Sequence, residues 1–187
     1  MATQTLLTQG MKCNSFSTPV GATEHFIAVT TTDKKPLEES LSELTERYDK
    51  ALKENKLDES TQQFTRIYLS DITNEIERVR KSEIVSRLKK SALSFIEQSP
   101  LAGGPAILSY HVKSNDSSFA KKTLIGEPEN SHRFSWSEGR NYSMLWSSIN
   151  AEIDEELDLN TPTKDIVKGY QKPDSEKQTN NIFTSMT

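Results

Sequence analysis

Apolar and polar positions divide the first part of the chain into strands and helices. Residues 25–32 and 61–69 are rich in β-branched and aromatic side chains, which predicts two strands. From 36 to 54, leucines and one tyrosine recur every three or four positions, which predicts one amphipathic helix. Arg66 lies on an otherwise apolar row of the second strand. We interpret it as a structural residue, either a partly buried ion-pair partner or an edge residue.

The next stretch of the chain predicts the rest of a sheet. A second helix is expected over 71–90, and strands are expected at 93–98 and 106–113. The Pro- and Gly-rich loop between these two strands predicts that they pair as a hairpin. A further strand within 7–16 is expected to open the sheet. Two helices on one face of a mostly antiparallel sheet make an α+β fold, and the uncovered opposite face predicts self-association.

The last third of the chain repeats the opening order of elements. Residues 141–149 predict a strand, an acidic Pro-containing stretch follows, and 175–186 predict the start of a helix. Two interpretations stay open: an accessory tail packed on the first domain, or the start of a second copy of it. The predicted segments are 1–21 as an N-terminal segment with the first strand, 22–125 as one domain, and 126–187 as this tail or second start.

Composition narrows the classes of function. The net charge is −4 and the pI is near 5.5, which argues against nucleic acid as a partner, since phosphate binding depends on Lys and Arg. We interpret the basic stretch 78–90 as a solvated helix face. Cys13 is the single cysteine, and no Cys/His cluster suggests a metal or a cofactor. No stretch has the length of a membrane span, so a soluble cytoplasmic protein is expected.

Three segments carry a resemblance to a known family. Residues 41–58 followed by 64–71 (FTRIYLSD), together with 92–101 (ALSFIEQSPL), resemble the RidA/YjgF family, also labelled L-PSP endoribonuclease-like. Residues 139–146 (GRNYSMLW) resemble the opening of the second domain in the tandem, chorismatase-like branch of that family. The resemblance implies a chorismate-mutase-like α+β sandwich that forms trimers, or pseudo-trimers in tandem chains. Active members deaminate 2-imino or enamine acids.

The resemblance also implies where the chemistry has been lost. The family's arginine, which holds the substrate carboxylate, aligns with Leu93, and its acidic residue on the following strand aligns with Leu108. Losing a bidentate charged anchor removes on the order of 2–3 kcal/mol of recognition. We therefore predict a non-catalytic structural or ligand-binding domain that supports oligomer assembly and accepts, at most, a small anionic metabolite.

Other residues keep alternative functions open. A deaminase or chorismatase-type hydrolase would use Arg66 and Glu97 as catalytic groups, and Arg140 is a candidate for binding an anionic ligand. RNA binding or endoribonuclease activity is a distant alternative that rests on the family label. The remaining candidates are interpreted as packing or surface residues: His25, His111, His132, Trp136, Tyr142 and Trp146.

Overall fold

The elements of the fold are defined by a computed structural model that describes residues 4–8, 10–31, 35–88, 91–101, 103–122, 134–140 and 142–148. The helices are α1 (Leu37–Asn55), α2 (Ile72–Arg80) and α3 (Glu83–Arg87). The strands are β1 (Gln4–Thr8), β2 (Met11–Ser17), β3 (Ala22–Thr30), β4 (Gln62–Leu69), β5 (Ala92–Glu97), β6 (Ala106–Ser114), β7 (Ala120–Lys122), β8 (Phe134–Glu138) and β9 (Ser143–Ser147). None of the described helices is long and apolar enough to cross a membrane.

Six strands form one mixed sheet in the order β1-β2-β3-β6-β4-β5. β5 runs parallel to β4, and the other neighbouring pairs in this sheet are antiparallel. The predicted hairpin of 93–98 with 106–113 is therefore wrong, because β4 lies between those two strands. The connection that contains α2 and α3 is a helical crossover long enough to place β5 parallel to β4, and the chain after β5 then crosses the end of β4.

Helix α1 confirms the predicted helix at 36–54, shifted by one residue at each end. Leu41, Leu44 and Tyr48 are buried against the sheet because the helical repeat brings them to one side. Burial of each large side chain stabilises the fold by about 1.5–3 kcal/mol. Acidic residues in the first turn and Lys53 in the last turn complement the helix dipole.

The second predicted helix is divided into two in the structure. α2 begins after Asp71, whose carboxylate accepts a hydrogen bond from the backbone N–H of Asn74. It ends at Arg80, and α3 begins after Ser82, whose hydroxyl donates to the carbonyl of Val79. A serine that bonds back to the preceding turn competes with helix continuation, which explains the break.

The N-terminal segment forms two strands where one was predicted within 7–16. β1 and β2 pair as an antiparallel hairpin whose connection includes Gly10, at φ +72°. A Cβ at Gly10 would lie 2.7 Å from the carbonyl oxygen of Thr30, so a side chain there is excluded by space as well as by backbone conformation. This hairpin therefore depends on glycine at position 10.

The second sheet comes from the region beyond β6. β7, β8 and β9 form a three-stranded antiparallel sheet, and β8 and β9 pack on β4 and β5. The strand predicted at 141–149 is confirmed over Ser143–Ser147. β7 precedes the predicted boundary near 125 and pairs with β8, which follows it. The predicted helix at 175–186 and the acidic stretch before it lie outside the described residues.

All three helices lie on one side of the six-stranded sheet, so the fold is α+β as predicted. We call this side the helix side; its core includes Ile27, Ile67, Leu93 and Ile107. The opposite side, which we call the open face, carries the alternate residues of the same strands. The small sheet covers only part of the open face, where Phe64 and Tyr110 meet Trp146.

Candidate functional site on the open face

Strand register divides the open face into lateral rows. The Arg66 row consists of Lys12, Ala28, Leu108, Arg66 and Ser94, in the order of β2, β3, β6, β4 and β5. The Tyr68 row beside it consists of Thr30, Ala106, Tyr68 and Ile96. Neither row contains an Asp or a Glu, so Lys12 and Arg66 have no carboxylate beside them in these rows.

Arg66 is the central cation of this surface. It lies on an inner strand, between Leu108 and Ser94, and its side chain is exposed. The guanidinium lies over the Phe64 ring, with Cζ 5.4 Å from the ring centroid. Among the described residues it makes no ion pair or hydrogen bond, and the predicted role as a buried ion-pair partner or edge residue is wrong. β4 is an inner strand whose open-face neighbours here are uncharged.

Aromatic side chains form a continuous row next to Arg66. Phe26, Tyr110 and Phe64 are lateral neighbours, with ring centroids 4.7 Å and 5.3 Å apart in that order. Trp146 of β9 packs on this row, 4.7 Å from Phe64 and 5.4 Å from Tyr110. The interpretation of Trp146 as a packing residue is consistent with these contacts, because its ring lies against Phe64 and Tyr110.

The two leucines at the expected family positions lie on opposite sides of the sheet. Leu93 is fully buried in the helix-side core, at 0% exposure, whereas Leu108 is half-buried on the open face. Within one chain they therefore face different surroundings, and the grouping of Leu93 with Leu108 as ligand-contacting positions stays a prediction. Alternation along β5 explains the difference: Ala92, Ser94 and Ile96 reach the open face and Leu93 does not.

Glu97 and Arg140 do not converge with Arg66. Glu97 follows Phe95 by two residues on β5, and Phe95 packs on the helix-side core, so Glu97 belongs to the helix side. Arg140 lies near Asp116, whose carboxylate accepts from the Arg140 backbone N–H at 2.8 Å. Asp116 follows the end of β6, whereas Arg66 pairs with Leu108, six residues before that end. Arg66 and Arg140 are therefore about 20 Å apart along the strand direction. The candidate acid and the candidate anion anchors are therefore separated.

The helix side holds a second polar arrangement, which the sequence reasoning missed. The helix-side polar network consists of Tyr48, Thr61, Gln62, Thr65, Ser91, Ser109 and His111. Its centre is Ser109, whose hydroxyl lies 3.0 Å from each of Tyr48 Oη, Thr65 Oγ1 and His111 Nε2. The sequence feature that could have revealed this network is the presence of polar residues at core-facing positions of β4 and β6, next to Ile67 and Ile107.

The hydrogen bonds of this network assign the tautomer of His111. The Thr61 hydroxyl donates to the carbonyl of Asp58 at 2.7 Å, so its oxygen can only accept from His111 Nδ1, at 3.0 Å. Nδ1 therefore carries the hydrogen and Nε2 accepts from Tyr48 or Ser109. Burial is the main cause that lowers the pKa of His111 to about 3, and the nearby His25 and Lys121, which disfavour a second positive charge, add to it. This histidine is a neutral structural residue of the core.

Two further polar groups of the core are held in the neutral form. Burial raises the pKa of Tyr48, although its hydrogen bonds oppose that shift. Burial and the charge of Lys113 lower the pKa of His25, whose Nδ1 lies 2.7 Å from Ser15 Oγ. The interpretation of His25 and His111 as packing residues agrees with this geometry, and His132 lies outside the described residues.

The described residues contain no group of three or more His, Cys, Asp or Glu side chains arranged to hold a metal ion. Cys13 is a free buried thiol, and burial raises its pKa. Comparison with known proteins adds no assignment: no family model, curated protein or solved structure matches this chain.

Proposed function

We propose that the chain is a non-catalytic RidA-like domain that supports oligomer assembly and binds a small ligand on its open face. The observation that carries the proposal is the composition of β5 and β6. β5 (ALSFIE) has no cation, and β6 (AILSYHVKS) has no acidic residue. In the family that the sequence resembles, those two strands supply an arginine and an acid. Every position of β5 lacks the arginine and every position of β6 lacks the acid, so moving the alignment by one or two residues around Leu93 and Leu108 would not restore either group.

Self-association is the second half of the proposal. The Arg66 and Tyr68 rows carry apolar and aromatic side chains that are only half-buried, among them Leu108, Tyr68 and Ile96. Packing another copy against part of this surface would remove that part from water and leave the rest as a cleft at the boundary between copies, where a small ligand can lie. A trimer, or a pseudo-trimer in a tandem chain, is the assembly that the family resemblance favours.

An enzymatic alternative has one observation in its favour and one against it. Arg66 offers an unpaired guanidinium on the open face, which an imine or enamine deaminase could use to hold a carboxylate. Glu97, the acid that the alternative requires, lies on the helix side of the same chain. One copy therefore lacks the acid–cation pair, and we propose that turnover is absent.

Sedimentation velocity over a wide range of protein concentration tests the assembly. The wild-type chain should sediment as an oligomer, and Leu108→Lys should shift it to the monomer, because the substitution adds a charge to the surface to be buried. Ser42→Lys, which adds the same charge on the exposed side of α1, is the matched control and should leave the oligomer intact. A wild-type chain that stays monomeric throughout would contradict this half of the proposal.

A deaminase assay tests the other half. A 2-imino acid generated in the cuvette should hydrolyse at the uncatalysed rate when the purified chain is added. Turnover above that rate, abolished in Arg66→Ala, would overturn the non-catalytic assignment in favour of the deaminase.

A further inference from the structure

The open face around Arg66 combines a charged donor with polar groups that have no partner. Arg66 makes no ion pair or hydrogen bond among the described residues, and its Cζ lies 5.4 Å from the centroid of the Phe64 ring. The described part of the chain therefore uses none of the N–H donors of Arg66 in a hydrogen bond. The fixed fork of these donors matches the two oxygens of a carboxylate.

Ser94 supplies a second donor beside it. It is the direct lateral partner of Arg66 on β5, about 4.8 Å away between strands, and it faces the same side of the sheet. Its half-buried hydroxyl makes no hydrogen bond within the described part of the chain. One anion placed over the Arg66–Ser94 pair would therefore receive hydrogen bonds from both strands.

The surroundings of this pair are apolar. Leu108 flanks Arg66 on the side opposite Ser94, and Tyr68 and Ile96 form the next row. All three side chains are half-buried. An inorganic anion would leave that apolar surface in water, whereas an organic anion with a flat apolar body would cover it, which adds about 25 cal/mol for each Å² removed from water.

We infer that Arg66 and Ser94 form a binding site for a small organic carboxylate whose apolar body lies on Leu108, Tyr68 and Ile96. The inference deepens the ligand-binding part of the proposed function, because it names the class of ligand and the residues that hold it. Lys12 stands at the far end of the same row, three strand spacings or about 14 Å from Arg66, too far for one carboxylate to bridge directly.

Titration of the ¹⁵N-labelled full-length chain with benzoate, followed by amide chemical shifts, tests the site. Shifts should concentrate at Arg66, Ser94 and Leu108 and should saturate in the millimolar range, as expected for one exposed charged pair. Acetate, which lacks the apolar body, should bind at least about fivefold more weakly, and benzyl alcohol, which lacks the charge, should not saturate. Inorganic phosphate that binds more tightly than benzoate would overturn the ligand class.

Variants assign the effect to the named residues. Arg66→Gln should weaken benzoate by about tenfold or more, and Arg66→Lys, which keeps the charge but loses the fork, should fall between it and the wild type. Lys12→Gln is the matched control: it removes one charge from the same row and should weaken binding by less than about twofold. Equal losses in Arg66→Gln and Lys12→Gln, or no saturable binding by the wild-type chain, would overturn the site.

Sedimentation of the same samples separates the two proposals. A monomer that binds benzoate through Arg66 would support the site and contradict the assembly. An oligomer whose benzoate binding is unchanged in Arg66→Gln would support the assembly and overturn the site.

Discussion

The two sides of the six-stranded sheet treat polar residues in opposite ways. On the helix side, the hydroxyls of Tyr48 and Ser109 each have several hydrogen-bond partners and are closed off from water. On the open face, Arg66 and Ser94 are accessible and have no polar partner among the described residues. Polar groups that are already satisfied in the core stabilise one structure, whereas unsatisfied ones at the surface remain available to something outside the chain.

The largest expected effect compares one substitution on the two sides. Leu93→Arg would place an unpaired guanidinium in the core and should cost more than about 4 kcal/mol in the free energy of unfolding, enough to prevent folding. Measured on the monomer, Leu108→Arg on the open face should change the free energy of unfolding by less than about 1 kcal/mol. Urea denaturation followed by circular dichroism measures both, and similar losses in the two variants would refute the assignment of the leucines to opposite sides.

A pH titration addresses the helix side alone. The pKa of His111 is about 3 when folded and 6.5 ordinarily, so between these values the unfolded chain binds the additional proton. Stability present above pH 6.5 is therefore lost as the pH falls, by up to about 1.4 kcal/mol for each pH unit. His25 contributes in the same direction, because its pKa is also lowered.

His111→Gln separates this loss from other titrations. Carboxylates with lowered pKa, such as Asp58, lose their contribution only as the pH falls below about 4, from the ordinary value of 3.8. Measurements of the free energy of unfolding between pH 6.5 and 4.5 should show a shallower slope in the variant than in the wild type. Parallel slopes would show that His111 is not buried in the neutral form.

Removing one phenol oxygen gives a smaller effect. Tyr48→Phe leaves the Gln62 amide and the Ser109 hydroxyl with one partner fewer in a buried network, which should cost about 1–3 kcal/mol. Tyr68→Phe on the open face removes a hydroxyl that has no partner among the described residues and should stay within about 0.5 kcal/mol of the wild type. Thermal unfolding of the two variants checks this difference, and equal melting temperatures would contradict it.

The smallest effect is expected for the arginine of the open face. Arg66→Gln should change the free energy of unfolding of the monomer by less than about 1 kcal/mol, because the side chain is exposed and its contact with the Phe64 ring is weak there. Arg47→Gln is its counterpart on α1: Arg47 pairs with Glu43 at 2.6 Å and donates to the carbonyl of Thr30, so its loss should cost about 1–2 kcal/mol. A larger loss at Arg66 than at Arg47 would mean that the open face is structural rather than available for binding.

Local pattern predicted the elements better than their pairing. The helical repeat that gave α1 and the β-branched runs that gave β3 and β4 depend on nearby residues, and these predictions hold within a few residues. The wrong hairpin of β5 with β6 depended on a short turn-rich loop, which is compatible both with a hairpin and with a crossing of β4. Only the packing of α2 and α3 over the sheet decides between them.

The candidate site was predicted in part. Alternation placed Arg66 with Phe64 and Tyr68, and the structure keeps them on one face. Sequence could not supply Ser94 or Lys12 as members of the same row, because lateral neighbours are set by register between strands far apart in the chain. For the same reason Leu93 and Leu108, each taken from a motif, could not be assigned to opposite sides of the sheet.

The position of β6 constrains the order in which the chain can fold. Among the described strands, β6 alone joins β3 to β4, so the hairpin side at 4–30 and the crossover unit at 62–97 have no strand pairing to each other without residues 106–114. On the ribosome, both parts emerge with an unpaired inner edge and must wait until β6 has been synthesised. A chain released before residue 114 would expose those edges to other nascent chains.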